Sequence, residues 1–346
     1  MSKLTPRLGR RNLLGRRNLL GTAAAAALAR PALAQAAPIE LKLSHFLPPN
    51  HTFQKQALLW SSELEKASGG KLTLKLYPAA QLGPPPRQFD LARNGVADIA
   101  IGLTGSTPGR YPLTELVSEP FLAPKEGGLC AITSRRLTSL APEFLTAEYP
   151  GMKLIWALTT SPLLTFTTKA PIRTPADFKG LRIRYAGEQS AEILKLLQSV
   201  PLAVPPGETQ DGLAKGIIDG ATFPYEGAQS FDIGTVVKYG CEPGISSASF
   251  VAVMNPKKFD SLPAELQALI TQTTGPAMAA RIGGALDEAE DAGRAYMKAK
   301  GVEITTLPPA AVAEVKTLLA PLLETRLAKL EAEGKPARKF IAAYVA

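Results

Sequence analysis

Cysteine and histidine are nearly absent from this 346-residue chain, which holds two of each: Cys130, Cys241, His45 and His51. With no cysteine pair at ligand spacing, no structural zinc site is expected and no metal site is assigned. An oxidising compartment permits a Cys130–Cys241 disulfide, but the sequence does not show that the two meet. Two separate buried thiols is the simpler expectation. The signatures G-x-G-x-x-G, Walker A, G-x-S-x-G and H-E-x-x-H are also missing. The stretch TGSTPGR at 104–110 lacks the Gly-Lys-Ser/Thr ending of a phosphate loop and reads as a turn. His45 follows Ser44, but adjacent strand residues point to opposite faces, so they make no nucleophile–base pair. The carboxylate groups Glu63/Glu65 and Glu288/Glu290/Asp291 fall in amphipathic helices and are expected on solvated faces. No catalytic constellation and no cofactor is therefore assigned.

Charge is unevenly spread. Residues 1–34 hold seven basic residues and no acid, so the formal +9 less these seven leaves +2 for 35–346. No basic stripe remains to argue for nucleic acid. A basic start, a weakly apolar run from Leu19 to Ala29, and small residues at Ala32 and Ala34 read as an export signal. That run is too short to span a bilayer, and no other segment reaches a membrane-spanning apolar length. GRRNLL occurs twice in tandem, at 9–14 and 15–20, and the second copy abuts the apolar run. This resembles a twin-arginine signal, which implies the periplasm and folding before export.

The rest of the chain alternates strand and helix signals. IELKLSHF alternates apolar and polar residues as a strand does. In the following segment Phe53, Ala57, Trp60 and Leu64 lie at helical spacing until Gly69-Gly70. KLTLKLYP is a second strand, PPPRQFDLARNG a helix opened by Pro, and VADIAIGL a near-continuous apolar strand suited to a sheet covered on both faces. The pattern repeats from GMKLIWALTT onward. Residues 263–300 suit one long helix interrupted near Gly275-Pro276, and 309–346 is helical with Pro321 as a break. Two α/β units with no flexible tether predict domains joined by several crossing segments around a cleft.

Within PADFKGLRIRYAGEQ (175–189), a short strand carries Arg182 and Arg184 on alternate positions. A guanidinium in a cleft needs an anionic partner, and its planar fork suits a carboxylate. Arg182 is expected at the strand's exposed edge.

KLTLKLYPAAQLG, LARNGVADIAIG, PIRTPADFKGLRIRY and GIIDGATFP resemble, in order and spacing, the solute-binding proteins of tripartite ATP-independent periplasmic (TRAP) transporters. The likeness covers nearly all of 38–340. It implies two doubly wound α/β lobes around a ligand cleft, joined by hinge strands and a long C-terminal helix, in the manner of type II periplasmic binding proteins. The expected division is 1–34 signal, 35–158 plus 247–301 first lobe, and 159–246 plus 302–346 second lobe. The resemblance implies that Arg184 forms a two-pronged ion pair with a ligand carboxylate. It further places His45 and Phe46 at the cleft mouth, Leu103 and Thr104 in the loop lining the first lobe, and Phe223, Tyr225 and Ser249 in the pocket, with Glu226 within reach. Leu164 stands where sialic-acid-type members have a second arginine, and Phe223 where they have an asparagine. These departures imply a less polar pocket with one clear cation. They favour a monocarboxylate with an apolar or aromatic body, or a small keto or hydroxy acid, over a C4-dicarboxylate, although a protonated His45 would weaken that preference. The implied partners are a small-molecule organic acid and TRAP membrane subunits, without an ATPase or nucleic acid, and the protein is expected to be a monomer. An exported enzyme with a folded-in cofactor, and the binding protein of an ATP-driven importer or sensor, remain the alternatives.

Overall fold

The computed structural model describes residues 37–346, so the expected signal over 1–34 lies outside the described residues. Ile39, Leu41 and Leu43 alternate with Glu40 and Lys42 in β1 (Ile39–Ser44), the first of eleven strands among the described residues. It is followed by β2 (Leu72–Tyr77), β3 (Ile99–Leu103), β4 (Lys153–Thr159), β5 (Leu164–Thr167), β6 (Arg182–Arg184), β7 (Val200–Leu202), β8 (Gly220–Phe223), β9 (Tyr239–Glu242), β10 (Ser249–Met254) and β11 (Glu303–Thr306). They form two sheets, ordered β2-β1-β3-β10-β4 and β11-β9-β5-β8-β6-β7. Each carries helices and its own buried clusters, giving two α/β lobes.

The apolar strand β3 is buried at every position, as its sequence requires. The sheet is nevertheless mixed. β1 runs parallel to β2 and β3, whereas β10, on which the chain returns from the second lobe, is antiparallel to both β3 and β4.

The long helix expected over 263–300 is two helices, Ala264–Thr273 and Pro276–Ala299, broken at Gly275, whose φ is 81°. The second joins the lobes. Met278, Ile282 and Leu286 enter the first lobe's core and Met297 enters the second's. Two bare backbone positions let it lie close. A Cβ on Gly283 would stand 2.3 Å from the Cys130 carbonyl oxygen, and one on Gly293 2.5 Å from the Tyr225 carbonyl group. Its carboxylates then cap one helix from each lobe. Asp287 accepts from the Cys130 and Ala131 N–H groups at 2.7 and 3.0 Å, and Glu290 from those of Tyr225 and Glu226 at 3.0 and 2.9 Å. Helix N-termini present unpaired N–H groups and positive dipole ends, so both contacts are favourable.

Two expectations for the C-terminal region are corrected. Pro321 does not break its helix, which runs through Pro309–Ala332 and stops before Gly334, with φ 76°. Nor does 302–346 remain in the second lobe. Val315 and Leu319 pack there, but Leu327, Leu330, Phe340, Ile341 and Tyr344 join the first lobe's core, because their apolar face meets the helix Cys130–Phe144 and its neighbours. Cys130 and Cys241 are both buried free thiols in different clusters. Among the described residues no helix is long and apolar enough to cross a membrane.

Candidate functional site

Parallel strands direct their carboxyl ends toward the same side of a sheet, and ligand crevices form there. Arg184 ends β6, Phe223 ends its parallel neighbour β8, Leu103 ends β3, and Phe46 lies two residues past β1. All four line one cavity, closed further by Phe250 and Phe231. Phe250 is the register partner of Leu103, which sets both side chains on one face of the first lobe's sheet. The lining is largely aliphatic and aromatic, with Phe46 stacked on Phe250 at 6.0 Å and Phe223 tilted against Phe231 at 5.6 Å.

Arg184 is 3% exposed. Its Nη1 donates to the Thr222 carbonyl at 2.9 Å and its Nε to the Val204 carbonyl at 3.3 Å. Its guanidinium carbon lies 4.3 Å from the centre of the Phe223 ring. Among the described residues it makes no salt bridge to Asp or Glu. Burial pulls its pKa down to about 9, offset slightly by Tyr185, so it is charged at neutral pH. Two carbonyls and a ring face compensate a buried guanidinium only in part, and among the described residues Nη2 has no hydrogen-bond acceptor. Arg182 behaves differently. It is half-exposed and forms a fork with Asp219, Nε to Oδ2 and Nη2 to Oδ1, both at 2.9 Å. These bonds hold the Asp219 carboxyl well below the ordinary carboxylate range.

Five of the residues expected in the pocket lie elsewhere, and each has a physical reason. His45 points away from the cavity that its neighbour Phe46 lines. Its Nε2 meets Gln54 at 2.7 Å, its Nδ1 accepts from the Leu47 N–H at 3.2 Å, and burial drops its pKa to about 4. It therefore supplies no second positive charge. Thr104 and Ser249 are buried against each other and against Glu115, behind Leu103 and Phe250. Leu164 and Tyr225 face a neighbouring open groove, where the Tyr225 hydroxyl donates to Glu242 at 2.8 Å.

The cavity wall holds two acids. Glu226 was expected within reach and lines the cavity, pinned from several sides. Its Oε1 accepts from the Thr52 N–H and Oγ1 and the Ser230 hydroxyl at 2.9, 2.8 and 3.1 Å, and its Oε2 lies 3.1 Å from His51 Nε2. His51 Nδ1 accepts from the Phe53 N–H at 3.2 Å, so Nε2 carries the proton. Burial lowers the His51 pKa against the pull of Glu226, keeping the ring neutral. This contact joins the lobes: Glu226 belongs to the helix Tyr225–Ser230 beside β8, and Thr52 opens the helix Thr52–Ala67 on the first sheet. Glu290 was expected on a solvated face. It instead forms part of the wall, because the Tyr225 and Glu226 N–H groups draw its carboxylate inward. Gly105 and Gly187 bring the lobes together at another point. A Cβ on Gly105 would meet the Gly187 Cα at 2.7 Å, and Gly187 has φ 121°.

Sequence reasoning missed His51, Phe231, Phe250 and Glu290. Phe250 was within reach of it: strand alternation makes Phe250, not Ser249, share a face with Leu103. His51 and Glu290 carry no local signal, since only the tertiary approach of two helices brings them to the cleft.

Against known proteins, the model of the family described as bacterial extracellular solute-binding protein, family 7, matches residues 43–330. The C4-dicarboxylate-binding periplasmic protein DctP of Rhodobacter capsulatus is 24% identical over 314 residues, 90% of this chain and 93% of that protein. A TRAP solute-binding protein from Rhodoferax ferrireducens, solved with copurified benzoate, superposes with a TM-score of 0.84 at 26% identity, covering 88% of this chain and 96% of that one. A TRAP periplasmic solute-binding protein from Bordetella bronchiseptica, solved with (R)- and (S)-mandelate, gives 0.82 at 28% identity, covering 89% and 98%.

Proposed function

Because this chain belongs to the bacterial extracellular solute-binding protein family 7 and is DctP-like, we propose that it captures a monocarboxylate with an aromatic or apolar body in the periplasm. It then presents the closed complex to TRAP membrane subunits. The observation that carries this reading is Arg184, a buried guanidinium with no acidic partner among the described residues, opening onto a largely apolar cavity. A carboxylate docks on its unshared N–H groups as a charge-assisted, two-pronged pair. The ligand body lies among Phe46, Phe223, Phe231 and Phe250, where ring stacking adds to area burial. The benzoate and mandelate of the two similar structures have this form and support it.

Binding is coupled to closure. Arg184 and Phe223 belong to the second lobe, and Phe46, Leu103 and Phe250 to the first, so one ligand makes favourable contacts only when both close on it. The protein acts as a monomer, with no ATPase and no chemistry on its ligand. A thermal-shift screen over organic acids tests the reading. Ligand at about 100 times its Kd adds about 2.7 kcal/mol of stability, so benzoate, mandelate or a close analogue is expected to raise Tm by several degrees. A screen in which no monocarboxylate shifts Tm contradicts it.

A further inference from the structure

An anion trap gains nothing in affinity from carboxylates in its own wall, yet Glu226 and Glu290 both line the cavity that Arg184 enters. Among the described residues neither forms a salt bridge with Arg184; Glu226 is held by His51 and Thr52, and Glu290 by the Tyr225 and Glu226 N–H groups. The cavity wall therefore carries one guanidinium and two carboxyl groups that are held by other partners. We propose that Glu226 and Glu290 are specificity-determining residues that reject a second anionic group and select acids whose far end is neutral or donates a hydrogen bond. This rests on the reading of Arg184 as the carboxylate anchor.

Three observations carry it. First, Glu226 cannot swing away, because Thr52, Ser230 and His51 fix both its oxygens. Second, among the described residues no Lys or Arg pairs with it. Its partner there, His51, is buried, and its Nδ1 is committed to the Phe53 N–H, so the imidazole is neutral. Third, Glu290 faces the same region with Glu226 and Asp287 nearby. Burial, with these charges behind it, pushes Glu290 up to about 7 against its two backbone N–H bonds. A third carboxylate here would meet two carboxyl groups with no cation to compensate it in a poorly solvated space, the repulsive element on which specificity often depends. A phenol or hydroxyl would instead find acceptor lone pairs left over on Glu290, whose two oxygens each receive one N–H in the described structure.

The test is titration calorimetry of the full-length mature protein with benzoate, 3-hydroxybenzoate and benzene-1,3-dicarboxylate, repeated on Glu226→Gln and Glu290→Gln. Reading the ratio of affinities within each variant cancels any uniform loss of closure energy. Wild type is expected to prefer benzoate over the dicarboxylate by about 100-fold or more, and at least one variant to narrow that preference by about tenfold. Glu290→Gln is also expected to lower the gain from the 3-hydroxyl. A wild type that binds the dicarboxylate as tightly as benzoate, or a preference unchanged within about threefold in both variants, overturns the assignment. Failure of benzoate and 3-hydroxybenzoate alike to bind wild type overturns the anchor reading itself, which is a distinct result.

Discussion

Arg182 and Arg184 lie two residues apart on one strand and do opposite things. Arg182 is paired with Asp219 near the strand's start, so its charge is satisfied within the fold. Arg184, at the strand's carboxyl end, leans on two carbonyls and a ring. Replacing an incompletely paired buried charge by an apolar side chain of similar length is often neutral or stabilising. Arg184→Met is therefore expected to leave the ligand-free Tm unchanged or higher while abolishing carboxylate binding. Arg182→Met is expected to lower Tm and leave affinity within a few-fold. Differential scanning calorimetry with and without ligand checks both, and a large loss of Tm in Arg184→Met would mean that the guanidinium is chiefly structural. At this scale the sequence was readable where residue type and chemistry agree. Arg184 was legible because a short strand has little packing reason to bury a guanidinium. The choice between neighbours was harder: His45 or Phe46, Thr104 or Leu103, Ser249 or Phe250 depends on which face of a strand meets the cleft. Here the polar member of each pair turns inward to protein partners and the apolar member lines the cavity.

Among the elements, the helix Pro276–Ala299 does most to relate the lobes. Its smooth face at Gly283 and Gly293 lets it approach one helix of each. Gly283→Ala and Gly293→Ala should each cost about 1–3 kcal/mol by overpacking against backbone that cannot yield. Gly284→Ala meets nothing within 4 Å and should stabilise by about 0.5–1 kcal/mol through helix propensity. Chemical denaturation of the three variants checks this, and equal effects at 283 and 284 would contradict it. The helix and its break at Gly275-Pro276 were legible from spacing and from residues that resist helical conformation. Its capping by Asp287 and Glu290 was not, since the capped N–H groups lie more than 60 residues away. The fate of Pro321 was misjudged because packing on both lobes outweighs one missing backbone hydrogen bond.

For the molecule as a whole, burial of ionisable groups makes stability depend on pH from both sides. Burial raises Glu115 from 4.5 to about 7, opposed by hydrogen bonds from Thr104 and Gln189, and also raises Glu119 and Glu290 to about 7. Each binds a proton when folded that the unfolded chain has already released. Their contribution is full below pH 4.5 and is lost as pH rises through about 7. His45, lowered from 6.5 to about 4, contributes fully above pH 6.5 and loses that contribution as pH falls through about 4. The Tm is expected to peak in mildly acidic buffer, and Glu115→Gln to flatten the fall on the alkaline side. A scan of Tm against pH with no such fall would contradict the burial of these acids. The two-lobe architecture followed from repeated β-α patterns. The crossing of the C-terminal segment back to the first lobe did not, because an amphipathic helix does not state which apolar surface it will cover.

The account turns on Arg184 receiving a ligand carboxylate. The most direct measurement is titration calorimetry of benzoate against wild type and Arg184→Lys, which keeps the charge and removes the fork. The account predicts at least about tenfold weaker binding, about 1.4 kcal/mol, in a variant that remains folded. Equal affinity in the two proteins would contradict it.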